Sequence, residues 1–162
     1  MPLALELVPP GSRFAGRKAV LFVACPICPR MQVQHRAGEP LYSWRTLFGL
    51  EDAFRRHMAS LVQSIRATGA ASDWHRTSAL LPACLWTEED GRKLQERART
   101  FDAIGVVGCE SALATVVRFA PGTPVVQLAK VTGIANLTLR SRFPLRCEIV
   151  AGETIPLPAP AA

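Results

Sequence analysis

Short apolar segments alternate with longer amphipathic segments along most of the chain, and this alternation constrains the fold more than any other feature. Residues 18–24 (KAVLFVA) form an almost continuous apolar run, which is typical of a parallel strand covered on both faces. The predicted strands are residues 18–24, 78–83, 102–108 and 124–131. The predicted helices are residues 47–65, 88–100 and 110–119. This order predicts an α/β fold with a mainly parallel sheet and flanking helices.

The C-terminal part of the chain follows a different pattern. Residues 134–139 and 143–150 alternate partly between apolar and polar side chains, and no helical segment separates them. Such a pattern predicts a β-hairpin, which we expect to be appended to the sheet. Residues 156–162 (PLPAPAA) are rich in Pro and Ala and predict a flexible tail. A chain of 162 residues then forms one α/β domain over residues 1–155.

The charge and hydropathy of the chain narrow the classes of function. The net charge of +6 comes from 16 Arg and 3 Lys against 13 acidic residues. The arginines are scattered and do not interleave with aromatic residues, so we do not expect nucleic-acid binding but do expect a basic surface that suits an acidic partner. No apolar run is long enough for a membrane helix, and residues 1–8 lack the pattern of a secretory signal. We therefore expect a cytoplasmic protein with no membrane contact.

Four of the five cysteines follow predicted strands. Cys25 and Cys28 come after the first strand, Cys84 after the second and Cys109 after the third. Because the carboxyl ends of parallel strands meet at one edge of a sheet, where ligands bind, we expect these four thiols to converge. Four thiolates suit an iron–sulfur cluster or a structural zinc ion. The absence of a second C-x-x-C pair favours the cluster, and Trp86 would shield it from water.

Thiol–disulfide exchange is the main alternative chemistry. A C-x-x-C pair between a strand and a helix, here Cys25 and Cys28, is typical of redox-active thiols. Residues 123–125 (TPV) resemble the Thr-Pro loop of thioredoxin-like proteins. This alternative leaves Cys84 and Cys109 without a role, and a structural zinc site with an interaction role is the second alternative.

Other residues with reactive side chains have weaker patterns. Cys109 lies at a predicted strand-to-helix turn, where a nucleophile is sometimes placed, but no base accompanies it. Cys147 lies within a predicted strand and is expected to be a structural thiol. His35 is either an additional metal ligand or a surface residue, His57 lies at the edge of an apolar helical face, and His75 has no assigned role.

The cysteine-bearing segments also resemble a known family. The stretches VLFVACPIC, LLPAC and FDAIGVVGC are similar in layout to the iron–sulfur subunit of methyl-viologen-reducing hydrogenase and its relatives, which deliver electrons to heterodisulfide reductase. The resemblance implies an electron-transfer component rather than a stand-alone enzyme, working with a partner redox enzyme. The cluster ligands that the resemblance implies are Cys25, Cys28, Cys84 and Cys109. The chain departs from the family in having no further cysteine shortly after Cys109.

Overall fold

The computed structural model describes residues 3–76, 81–143 and 146–157, which form two β-sheets and five α-helices. The strands are β1 (Leu3–Leu7), β2 (Ala19–Ala24), β3 (Ala71–His75), β4 (Ala103–Val107), β5 (Val125–Gln127), β6 (Ala129–Arg142) and β7 (Arg146–Pro156). The helices are α1 (Cys28–Arg36), α2 (Trp44–Leu47), α3 (Ala53–Arg66), α4 (Glu88–Ala98) and α5 (Glu110–Phe119). None of the helices in the described ranges is both long and apolar enough to span a membrane.

Four strands form a parallel sheet in the order β3-β2-β4-β5. This confirms the predicted α/β class and the predicted strands at 18–24 and 102–108. The chain first adds β3 on one side of β2 and then crosses over to add β4 and β5 on the other side. The topological switch point of the sheet therefore lies between β2 and β4, at their carboxyl ends.

Both faces of the parallel sheet are buried, which explains the continuous apolar sequence of its central strand. Leu21 and Val23 of β2 pack in one cluster with residues of α4 and α5, including Leu94. Phe22 packs in a second cluster on the opposite face with residues of α3, including Phe54. Full burial of one such side chain contributes about 1.5–3 kcal/mol, so these two clusters hold the helices against the sheet.

Helix α3 begins later than the predicted helix at 47–65. The helix begins at Ala53, and the Asp52 carboxylate caps it by accepting a hydrogen bond from the Arg55 N–H at 2.9 Å. The preceding residues form the separate short helix α2 and a turn at Gly49, whose φ of 70° belongs to the left-handed region. The apolar periodicity runs across this break, so periodicity alone placed the start too early.

The predicted helices at 88–100 and 110–119 are confirmed as α4 and α5. A reciprocal capping box of Thr87 and Asp90 starts α4, which ends at Ala98. The two helices pack so closely that a Cβ added to Gly91 of α4 would collide with the ring of Phe119 at the end of α5.

The predicted second strand at 78–83 is wrong within the described residues. Residues 77–80 lie outside them, and the chain at Ala83–Leu85 forms a single 3-10 turn. The strand next to β2 is instead β3 (ASDWH), an edge strand whose Ala71 and Asp73 are exposed. Edge strands tolerate polar residues, so β3 lacks the continuous apolar run on which the prediction depended.

The C-terminal hairpin is confirmed, but it does not extend the parallel sheet. Strands β6 and β7 pair antiparallel, and β6 also pairs with β1, with Leu5 opposite Val131. The predicted strand at 124–131 is therefore two strands, because β5 ends at Gln127 and β6 begins at Ala129 in the other sheet. Of the predicted tail, Pro156 ends β7 and residues 158–162 lie outside the described ranges.

Candidate functional site

A cavity of about 880 Å³ lies at the carboxyl edge of the parallel sheet. Four thiols line it together, those of Cys25, Cys28, Cys84 and Cys109. They come from three segments of chain that are far apart in sequence. The structure thus brings together the four cysteines that the sequence singled out.

Cys25 and Cys109 lie at the switch point between β2 and β4. The Cys25 N–H donates to the carbonyl of Val107 at 3.0 Å, which continues the pairing of the two strands by one residue. Cys109 caps α5 after Gly108. A Cβ added to Gly108 would lie 3.3 Å from the Cys25 Cβ and 2.7 Å from the Ala112 Cβ. Only glycine lets the β4–α5 turn pass this close to Cys25.

The other two cysteines at the cavity are Cys28, in α1, and Cys84, in the 3-10 turn. Cys28 is the first residue of α1, and its Sγ accepts a hydrogen bond from the Leu3 N–H of β1 at 3.5 Å. Cys84 lies in the 3-10 turn and is exposed, as is its neighbour Leu85. The predicted strand before Cys84 is absent from residues 81–83, yet the 3-10 turn still places this thiol at the cavity.

Burial raises the pKa of both thiols of the C-x-x-C pair. For Cys25, hydrogen bonds from the N–H groups of Ile27 and Ala83 oppose this effect, while Cys109 and Cys84 reinforce it. The pKa of Cys28 is raised in the same way by burial, with the Leu3 N–H opposing. Both thiols are consequently protonated near neutral pH in the chain alone.

The antiparallel sheet lines part of the cavity, and no local pattern in the sequence indicates this. Ile134 and Leu137 of β6 and Ile155 of β7 contribute apolar side chains to the wall. Tyr42 lies on the opposite part of the wall, and its backbone pairs with that of Cys147 in β7 through hydrogen bonds of 2.8 and 3.3 Å. These long-range contacts connect segments more than 100 residues apart, which no local pattern records.

Neither Cys147 nor any of the three histidines lines the cavity. Cys147 lies in β7 and is half-buried. His35 is exposed in the last turn of α1, about 10 Å along the helix from Cys28. His57 is half-buried on α3. The predicted role of His35 as an additional ligand therefore has no geometric support.

His75 occupies a more notable position at the end of β3. It is buried, and its ring meets the ring of Trp86 edge to face at 6.0 Å between centroids. Burial lowers the pKa of His75, and Arg97 adds to this effect while Asp90 opposes it. Trp86 also packs against the core cluster that contains Cys25, so an aromatic side chain does stand beside the cysteine-bearing turn.

A single zinc ion and an iron–sulfur cluster require different spacings of the ligand atoms. Within residues 3–76, 81–143 and 146–157, no three His, Cys, Asp or Glu side chains stand close enough to share one metal ion. A four-iron cluster makes a different demand, since each thiolate binds a different iron and the ligand sulfurs stand farther apart. All five cysteines are free thiols. Among the described residues, the four thiols at the cavity are therefore not close enough to share one zinc ion.

The Thr-Pro segment does not lie at this site. Pro124 precedes β5, and its carbonyl accepts a hydrogen bond from the N–H of Ile104 at the start of β4. It therefore lies at the amino edge of the parallel sheet, whereas Cys25 and Cys28 lie at the carboxyl edge. Residues 123–125 therefore do not act as a thioredoxin-like Thr-Pro loop beside the cysteine pair, and this part of the sequence-based prediction is wrong.

Comparison of the chain with protein-family models, with curated proteins and with solved structures finds no match.

Proposed function

We propose that the four-cysteine cavity binds an iron–sulfur cluster and that the protein passes electrons to or from a partner redox protein. One observation supports this proposal above all others: thiols from three separate segments line a single cavity. Cysteine is a rare residue, and four of the five in this chain meet here. The ligands are Cys25, Cys28, Cys84 and Cys109. A bound cluster would supply one-electron redox chemistry.

The surroundings of the thiols suit a redox centre. The N–H groups of Leu3, Ile27 and Ala83 donate hydrogen bonds to the sulfurs of Cys28 and Cys25. Such hydrogen bonds stabilise negative charge on sulfur and tune the reduction potential. The hairpin supplies apolar side chains to the wall of the same cavity. The chain thus places the thiols beside apolar side chains, with backbone donors directed at two of them.

The raised pKa values of Cys25 and Cys28 separate this proposal from thiol–disulfide exchange. The nucleophile in exchange is a thiolate, and burial of these two thiols disfavours the thiolate near neutral pH. A metal group instead displaces the protons and compensates the charge of each sulfur. Buried thiols of high pKa therefore support metal ligation more than exchange.

One side of the cavity is open to a partner. Cys84 and Leu85 are exposed at the 3-10 turn, and Leu85 retains 63% of its accessible surface. The net charge of +6 would favour an acidic partner and raise the rate of encounter. A reducing compartment such as the cytoplasm would keep the five thiols free for this role.

The test is anaerobic reconstitution with ferrous iron and sulfide, followed by a visible absorption spectrum and by iron, sulfide and zinc analysis. Cys84→Ser and Cys109→Ser are the test variants. Cys147→Ser is the matched control, because it removes a cysteine that does not line the cavity. We expect the wild type and the control to bind iron and sulfide and to be brown, and both test variants to lose most of the iron.

Two results would overturn the proposal. A colourless wild type without iron after reconstitution would exclude a cluster, and stoichiometric zinc in that sample would support the zinc alternative. Equal iron content in all three variants would show that the cavity cysteines are not the ligands. Circular dichroism of each variant distinguishes loss of ligands from loss of the fold.

A further inference from the structure

A second pocket, which shares no residue with the four-cysteine cavity, lies against α3 and β3. Its volume is about 550 Å³. We call it the arginine pocket, because four arginines line it, together with the ring of Trp74 and the carboxylates of Glu51 and Asp73: Arg55, Arg56, Arg66 and Arg76. A volume of this size is within the range of roughly 300–1,000 Å³ that small-molecule sites occupy.

Two of the four arginines already have partners. Arg56 pairs with Glu39 and, at 3.7 Å, with Glu51. The Nε and Nη2 groups of Arg66 both donate to the carbonyl of Ser72, at 3.0 and 2.8 Å. Arg66 thus satisfies a backbone acceptor of the edge strand β3. These two side chains are committed to the fold.

The other two arginines lie near the same aromatic ring, and neither forms an ion pair among the described residues. The guanidinium carbons of Arg55 and Arg76 each lie 5.9 Å from the centroid of the Trp74 ring. Among the described residues, neither has a carboxylate within ion-pair distance. The one acidic neighbour on the same strand, Asp73, pairs with Arg97 instead. These two guanidinium groups therefore lie in a pocket whose two carboxylates, those of Glu51 and Asp73, pair with other arginines.

The pKa of Arg55 is also affected by burial and by the neighbouring charges. Its pKa is lowered by burial; Asp52 opposes this effect, and the like charges of Arg76 and Arg30 add to it. An anion placed at the two guanidinium groups would remove this repulsion. Guanidinium groups bind phosphate through paired N–H donors, and two of them match the double charge of a phosphate group.

We propose that the arginine pocket binds a phosphate group, either free or carried by a small molecule, through Arg55 and Arg76. The Trp74 ring, which lines the same pocket, would adjoin an organic part of such a molecule. A polynucleotide is a poorer fit, because the pocket is a single concavity rather than an extended groove. This site does not depend on the cysteines.

The test is isothermal titration calorimetry of the full chain with inorganic phosphate and, separately, with phenyl phosphate. The test variant is Arg55→Gln/Arg76→Gln. The matched control is Arg92→Gln/Arg99→Gln, which removes the same two charges from exposed positions outside the pocket. We expect wild type and control to bind alike and the test variant to bind roughly tenfold or more weakly, because charged hydrogen bonds are lost.

The two probes distinguish the sources of the phosphate. Tighter binding of phenyl phosphate supports a phosphorylated organic ligand that uses Trp74, and equal binding of the two supports free phosphate. No binding to wild type at millimolar concentrations would overturn the proposal. So would an equal loss in both double variants, or binding of a single-stranded oligonucleotide where neither probe binds. If the double variant does not fold, Arg76→Gln alone, at an exposed position, gives the same test.

Discussion

A single buried carboxylate connects the three helices that precede β3. Asp52 Oδ1 caps α3 at the Arg55 N–H. Its Oδ2 accepts from Arg30 Nη1 of α1 at 2.6 Å and from the Thr46 hydroxyl of α2 at 3.4 Å. Arg30 and Asp52 are both almost fully buried. Because α1 begins at Cys28, this ion pair also sets the position of a cavity thiol.

We predict that Asp52→Ala lowers the free energy of unfolding by about 3–5 kcal/mol, since it leaves the Arg30 charge buried without a partner. Loss of the helix cap alone would cost about 1 kcal/mol. Urea denaturation followed by circular dichroism measures the difference. Glu51→Ala, at the neighbouring exposed position, is the control and should change stability by less than about 0.5 kcal/mol. A loss of only about 1 kcal/mol for Asp52→Ala would show that the ion pair contributes little.

Among the elements at the cavity, the turn between β4 and α5 depends on a glycine. Gly108 allows the start of α5 to approach the end of β2, with Ala112 and Cys25 on either side. The distance between Cys25 and Cys109 therefore depends on the absence of a side chain at this one position. The turn is part of the site even though Gly108 has no functional group.

We predict that Gly108→Ala costs about 1–3 kcal/mol of stability and lowers the iron content after reconstitution, because the added Cβ separates α5 from β2. The double variant Gly108→Ala/Ala112→Gly removes the closer of the two collisions, at 2.7 Å, and should recover part of the iron. Thermal unfolding and iron analysis of both variants measure these effects. Unchanged iron in Gly108→Ala would show that the turn is free to shift.

The elements that the sequence predicted well are those with strong local signals. The apolar run of β2 and the capping box at Thr87 and Asp90 each depend on residues close in sequence. In contrast, β3 is a polar edge strand, and the pairing of β1 with β6 joins residues such as Leu5 and Val131. Non-local pairing leaves little local pattern, so these elements were missed or misplaced.

The same distinction applies to the two candidate sites. Strand ends predicted that Cys25 and Cys109 would meet, since all parallel strands end at one edge. Cys84 reaches the cavity through a 3-10 turn instead of the predicted strand. The arginine pocket was missed, because Arg55 and Arg76 lie on different elements and the sequence shows only scattered arginines.

At the scale of the whole molecule, the cavity requires both ends of the described chain. The thiols belong to the parallel sheet and its loops, whereas β6 and β7 supply the apolar wall and β1 supplies the N–H bonded to Cys28. Strand β1 pairs only with β6 in the second sheet. The site is therefore complete only when the two sheets have come together, which would couple cluster binding to the stability of the whole fold.

The stability of the whole chain should also depend on pH through two histidines in different elements. Burial lowers the pKa of His57 on α3 and of His75 at the end of β3 from the ordinary value of 6.5. The folded chain keeps both rings neutral, and the unfolded chain binds protons as the pH falls through 6.5. Their contribution is thus fully present above that pH and is lost progressively below it. Carboxylates of lowered pKa, such as Asp90 held by Thr87, act only in a more acidic range.

We predict that the free energy of unfolding falls as the pH is lowered from about 7.5 to about 5, the interval in which a histidine of ordinary pKa gains its proton. Urea denaturation at a series of pH values measures the slope. His57→Gln/His75→Gln should flatten the slope in this interval, and His35→Gln, at an exposed position, should leave it unchanged. An equally steep slope in the double variant would assign the pH dependence to groups other than these two histidines.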